Sequence, residues 1–271
     1  MLKQRIITAL VLLPIALVGF FLLEGAAFAL FIGAVVSLGA WEWARLAGFA
    51  AQPLRVLYAG SVAALLFGLY QLPALAPWVL LFGVVWWAVA TVLVLSYPAS
   101  SRYWPGVPGK LVIGLLILLP AWQGLVLFKQ WPLANGLILA VMVLVWAADI
   151  GAYFAGKTFG KRKLAPQVSP GKSWEGLVGG LLTSLLITLA VGLYRGWLGS
   201  ELLLGLAGAT LVVLISVVGD LTESMFKRQS GVKDSSNLLP GHGGVLDRID
   251  SLTAAVPVFA VLLWLAGWGV L

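Results

Sequence analysis

Nine apolar runs separated by short polar breaks set the pattern of the chain. They cover residues 6–23, 26–40, 57–70, 78–97, 111–128, 133–149, 177–194, 202–219 and 252–271. Such runs predict membrane-spanning helices, because about 20 residues rising 1.5 Å each cross the hydrocarbon and the backbone must satisfy itself there. Glu24 marks a tight turn, and Trp41, Glu42, Trp43 and Arg45 mix aromatic and charged residues as an interface does. Gln52, Pro53 and Arg55 are expected to continue that loop. Pro73 and Pro77 part the third and fourth spans, residues 98–110 form a turn-rich loop, and Pro120 kinks the fifth span without ending it. The first run exceeds the apolar region of a signal peptide, so it reads as an uncleaved anchor despite the small-residue pattern Ala27-Phe28-Ala29. The expected architecture is an all-α polytopic membrane protein. A single integral domain spans residues 1–271, with N-terminal helices to residue 130 and the chemistry in 131–271.

Composition sharpens this picture. With 61% hydrophobic and 10% charged residues, the chain has too little polar surface for a soluble protein of 271 residues. No cysteine is present, which excludes disulfides and thiolate-bound zinc; any metal must bind through oxygen or through His242, the one histidine. A net charge of +7 would point to nucleic acid in a soluble protein, but in a membrane protein loop bias explains it. With nine spans and a cytoplasmic N-terminus, 15 of the 17 basic residues fall on the inner side, and only Lys129 and Arg195 fall outside. Both informative polar stretches are therefore expected to face the cytoplasm, with the C-terminus on the opposite side.

The first of these stretches runs over residues 224–250 and places Lys227, Arg228, Lys233 and Arg248 beside Asp234, Asp247, Asp250 and His242. Cations hold phosphate oxygens and carboxylates hold a hard divalent ion, so the mixture suits a polyanion handled together with its metal. Just upstream, Ser216, Asp220, Ser224 and Lys227 recur at helical spacing, with Glu223 beside them. A polar stripe entering a membrane helix is costly unless it meets a cavity, an ion or a partner; a solvated helix end is the bland alternative. Gly241, Gly243 and Gly244 around His242 allow either a backbone nest for phosphate or a plain turn. His242 itself could contact phosphate or base, or hydrogen-bond the loop, and Asp250 is placed to cap the last span.

The second stretch covers residues 149–176. Asp149, Tyr153 and Gly156 share a helix face, and Gly151, Gly156 and Gly160 permit close approach of a helix or a substrate. Of its basic residues, Lys157 adjoins that face, Lys161, Arg162 and Lys163 read better as topology anchors, and Lys172 reads as an amine placed by a turn with Ser169, Ser173 and Glu175.

The order Ser224, Lys227-Arg228, Lys233-Asp234, Ser236, Leu239-Pro240, His242-Gly243-Gly244, Asp247-Arg248, Asp250 resembles the signature of the phosphatidate cytidylyltransferase family, the CDP-diacylglycerol synthases. Asp149, Tyr153, Gly156-Lys157, Gly160-Lys161, Ser169-Pro170, Lys172 and Glu175-Gly176 resemble it too, with Ser173 standing where threonine is more usual. The first five spans resemble the family only in being hydrophobic. The resemblance implies condensation of CTP with phosphatidic acid to CDP-diacylglycerol and pyrophosphate, dependent on Mg²⁺ and with a second cation as an option. It further implies a bacterial cytoplasmic membrane and a homodimer.

The residue types suit that chemistry. A phosphate monoester is already largely dianionic near neutral pH, its second pKa being about 6, so no protein nucleophile is required and the task is electrostatic. On this reading Asp220, Asp247, Lys227 and Arg228 are catalytic, and Asp220, Asp247, Asp250 and Asp149 supply metal ligands. Tyr153, Lys157, Lys172, Ser224, Lys233, His242, Gly243, Gly244 and Arg248 contact substrate. Rival classes are a related nucleotidyltransferase or kinase acting on another lipid phosphate or polyprenol, and a cation-coupled transporter, which would set its acids at mid-membrane instead of at one end.

Overall fold

The computed structural model describes residues 2–269, with side chains from residue 4, so the last two residues of the ninth run and the Lys3 side chain lie outside it. Among the described residues, nine helices are long and apolar enough to cross a membrane. They are α1 (Leu2–Leu17, continued by a π turn at Val18–Leu22), α2 (Gly25–Ala47), α3 (Gln52–Gln71), α4 (Ala76–Leu95), α5 (Val107–Phe128), α6 (Ala134–Phe159), α7 (Trp174–Tyr194), α8 (Ser200–Gln229) and α9 (Leu246–Leu265). Between α6 and α7 lies a small antiparallel hairpin of β1 (Lys163–Ala165) and β2 (Ser169–Ser173).

Four boundaries differ from the pattern-based expectation. Gln52, Pro53 and Arg55 form the first turn of α3 rather than a loop, since proline has no N–H to leave unpaired there and the Arg55 Nε donates to the Phe49 carbonyl at 2.7 Å. Tyr153 and Lys157 remain on α6, which continues to Phe159. The segment holding Lys172 is the strand β2, not a turn. Finally, α9 starts at Leu246, well before hydropathy rises, so Asp250 lies inside the helix and is not its N-cap.

Buried aromatic residues fill the centre of the bundle, with Trp43, Trp87, Trp122, Phe28, Phe128 and Phe226 fully enclosed. Trp43 packs against Phe226 with ring centroids 4.8 Å apart and donates from Nε1 to the Lys110 carbonyl at 2.7 Å. Trp122 Nε1 likewise donates to the Ala29 carbonyl at 3.0 Å, the kind of partner a buried indole N–H usually finds. Small residues decide the closest helix approach. Gly176, Gly179 and Gly180 of α7 meet Ala148, Gly151, Ala152 and Ala155 of α6, and a side chain at Gly180 would run into the Ala148 carbonyl. That glycine stretch is therefore used within one chain.

Successive helices alternate in direction, so α2, α4, α6 and α8 end where α1, α3, α5, α7 and α9 begin. Contacts distant in sequence confirm this shared end: Thr8 with Pro240, Glu42 with Leu246, and Trp104 with Gln229. Lys129 and Arg195 follow α5 and α7 at the opposite end.

Candidate active site

The last turns of α8 carry the polar stripe, and two lysines divide it. Lys227 is the buried one. Its Nζ donates to Asp247 Oδ1 at 2.7 Å and, one helical turn back, to Glu223 Oε2 at 3.0 Å. Asp247 accepts more than this one bond: the Ser235 N–H and Oγ donate to its Oδ2 at 3.0 and 2.9 Å, and the Gly244 N–H donates to the same oxygen at 2.7 Å. Gly243 sits at φ +81° with Asp247 Oδ2 where a side chain would begin, so only glycine fits between strand-like loop and carboxylate.

Glu42 completes this seat from α2. It is wholly buried, accepts the Val245 and Leu246 N–H groups at 2.9 and 2.6 Å, and takes the Ser235 and Ser236 hydroxyls at 3.2 and 2.6 Å. The first N–H groups of a helix have no partner within it, and a carboxylate there also meets the positive end of the helix dipole. Glu42 thus does for α9 what a local cap does elsewhere, which is why α9 can begin among charged residues. Sequence reading placed Glu42 at a membrane interface; the structure makes it the buried anchor of the loop. Arg45 Nη1 and Ser230 Oγ add bonds between the same segments at 3.3 and 2.7 Å.

Lys172 belongs to a more open group. Its Nζ meets Asp220 Oδ2 at 2.6 Å, with 27% and 28% of the two side chains exposed, against 11% and 5% for Lys227 and Asp247. Ser224 Oγ donates to Asp220 Oδ1 at 3.2 Å, and Asp149 lies within electrostatic range of both Lys172 and Asp220. The hairpin that carries Lys172 is fastened at both ends. Glu175 accepts the Lys161 and Arg162 N–H groups and the Arg162 Nε at 3.1 to 3.2 Å, and Ser173 caps α7 by accepting the Gly176 N–H at 3.1 Å. A cavity of about 210 Å³ opens here, walled by Asp149, Tyr153, Gly156, Lys172, Gly176 and Gly180.

The structure thus places Asp149, Tyr153 and Lys172 around one cavity, with Asp220 and Ser224 joined to its edge through Lys172, and gathers Lys227, Asp247, Gly243 and Gly244 in a loop seat. Lys157 stays near the first group, its Nζ 5.8 Å from the Tyr153 ring centre. Lys233 and Arg248 stand exposed at the rim. The exposed Arg228 donates from Nε to the Val168 carbonyl at 3.1 Å, so it fastens the hairpin turn. Ser216 bonds back to the Val213 carbonyl at 2.8 Å and serves its own helix. The turn at Leu239–Gly243 closes through its own backbone, while His242 Nδ1 is buried without a hydrogen-bond partner among the described residues.

Among the described residues no group of three or more His, Asp or Glu side chains forms a ready-made metal centre. Lys172 meets Asp220, and Lys227 meets Asp247. The donor set nevertheless suits Mg²⁺, which takes one or two carboxylates and completes its shell with water and phosphate oxygens. Asp250 lies within electrostatic range of Asp220 and against Glu223, a residue missed as a site member. Gly219 permits this, because α9 passes so close that a side chain there would strike the Asp250 carbonyl.

The family model for the cytidylyltransferase family matches residues 3–266, and the chain belongs to that family. It is 78% identical to a phosphatidate cytidylyltransferase of Pseudomonas aeruginosa over 269 residues, covering 99% of each chain. A phosphatidate cytidylyltransferase of Haemophilus influenzae is 44% identical over 96% of this chain and 98% of its own, and one of Brucella suis 36% over 98% and 93%.

Proposed function

We propose that the protein transfers the cytidylyl group of CTP to phosphatidic acid, releasing pyrophosphate and leaving CDP-diacylglycerol in the bilayer. The observation that carries the reading is the open Lys172–Asp220 pair at a cavity on membrane-spanning helices, beside a second lysine held by buried acids. An oxygen of the lipid phosphate forms the new bond to the α-phosphorus, and the bond from that phosphorus to the bridging oxygen of the β-phosphate breaks. No proton transfer is needed, because the attacking monoester is already a dianion.

The amine of Lys172 holds phosphate oxygens whose charges would otherwise repel, Lys227 holds Asp247 and Glu223 in place, and Asp247 and Glu42 fix the loop that presents Gly243 and Gly244. Asp220 and Asp250, with Asp149 at hand, would hold Mg²⁺, which when bound supplies neutralisation of the phosphate oxygens. Tyr153 borders the cavity with Lys157 beside it, and Lys233, His242 and Arg248 would meet the nucleotide as it approaches. The site faces the cytoplasm of a bacterial inner membrane with the N-terminus on the same side and the C-terminus outside, a placement supported by the skew of basic residues.

The test is to give the purified, detergent-solubilised protein phosphatidic acid, labelled CTP and Mg²⁺. Cytidine label in the lipid extract with an equal yield of pyrophosphate supports the proposal. Label absent from the extract of a folded sample refutes it.

A further inference from the structure

Next to the polar cavity lies a second one of about 350 Å³, a volume within the range of small-molecule sites. Its walls are Val94 of α4, Leu177 of α7 and Leu214, Val218 and Leu221 of α8, and the hairpin turn at 166–168 lies across its polar end. No charged side chain lines it. Leu164, Leu177 and Val217 belong to both cavities, so the apolar one adjoins the space at Lys172 across a shared wall.

Two features hold the turn in place. Val168 is buried in the core, and its carbonyl accepts the Arg228 Nε at 3.1 Å. The wall also offers little to a polar ligand. The Thr91 hydroxyl already donates to the Trp87 carbonyl at 2.8 Å, which leaves Tyr97, Gln167 and Trp174 as the remaining side-chain partners. A nucleobase with several polar edges would exchange its hydrogen bonds to water for few in this wall, whereas a hydrocarbon chain loses none.

We propose that this cavity receives one acyl chain of the lipid phosphate whose headgroup sits at Lys172, and that the hairpin turn is its lid on the polar side. The inference rests on the lipid-phosphate reading of the first cavity. Apart from the hairpin and Tyr97, the walls belong to membrane-spanning helices, which gives a chain a route sideways from the bilayer without passing through water. Leu214, with 39% of its surface exposed, and Val218 on the same helix set how much of the chain is accepted.

The experiment compares dioleoyl and dihexanoyl phosphatidic acid as substrates at saturating CTP, for the wild type, Leu214→Trp and Val218→Phe. Filling the cavity should raise the KM for the dioleoyl lipid on the order of tenfold more than that for the dihexanoyl lipid, as a few misplaced methylenes do in an apolar pocket. The KM for CTP should stay the same. A phosphatidic acid bearing a diazirine at the chain end should label α4 and α8 in the wild type and lose that labelling in Leu214→Trp.

Equal changes with both lipids in both variants, or labelling confined to helices outside these walls, overturns the acyl-chain proposal while leaving cytidylyl transfer standing. Failure of the wild type to transfer cytidine to either lipid overturns both.

Discussion

Two lysine–carboxylate pairs stand side by side at one end of this bundle and do different work. Lys227 and Asp247 are enclosed, and Asp247 accepts bonds from the loop as well as from the lysine. Lys172 and Asp220 are joined more tightly still in distance, yet both are more than a quarter exposed, and they sit on separate elements, a hairpin and a helix. The difference separates holding from reacting. A carboxylate whose lone pairs are taken by lysine, serine and backbone N–H groups fixes geometry, while a half-open ion pair can exchange its partner for a phosphate or a cation. Exposure decides the energetics as well, since a screened pair contributes little to stability and a buried pair broken on one side costs much.

The largest effect should follow from Lys227→Met, which leaves Asp247 and Glu223 buried without their cation. A loss of about 3–5 kcal/mol is expected, seen as a steep fall in melting temperature in detergent together with loss of turnover. A near-normal melting temperature in that variant would break the contrast at its buried end. Glu42→Gln should come next. The amide keeps one acceptor oxygen but turns an N–H towards groups that are themselves donors, so a cost on the order of 2 kcal/mol is expected. Glu42→Ala should be worse than Glu42→Gln, because the Val245 and Leu246 N–H groups and the Ser236 hydroxyl then lose their acceptor; the order of the two melting temperatures checks this.

At the small end, Lys163→Ala removes an exposed charge on β1 and should shift stability by no more than about 0.5 kcal/mol. Turnover should remain within about twofold, the expectation for a residue outside the site. A large drop would move the basic stretch from topology into the site.

Much of this was legible in the chain because charge is expensive in a membrane protein. Asp149, Lys172, Asp220, Lys227 and Asp247 stand out against apolar runs, and the structure gathers them at one end. Glu42 did not stand out, since an acid among Trp41, Trp43 and Arg45 reads as an interface and its partners Ser235, Ser236, Val245 and Leu246 lie some 200 residues away. Its role explains a second miss, the early start of α9: hydropathy is broken by Asp247, Arg248 and Asp250, but the helix begins where Glu42 receives its N–H groups. The hairpin was missed for another reason. Strands of three and five residues are too short for an alternating pattern, and Pro166 and Pro170 point to a turn.

Lys172→Met, assayed in parallel for melting temperature and for transfer of label from CTP into phosphatidic acid, tests the division most directly. The pair it breaks is partly exposed, so the melting temperature should change by what at most about 1 kcal/mol produces, while turnover should fall on the order of a hundredfold or more, as when a charge-stabilising group is removed. Retained turnover, or a collapse of stability comparable to that of Lys227→Met, would contradict the assignment of the chemistry to the Lys172–Asp220 edge.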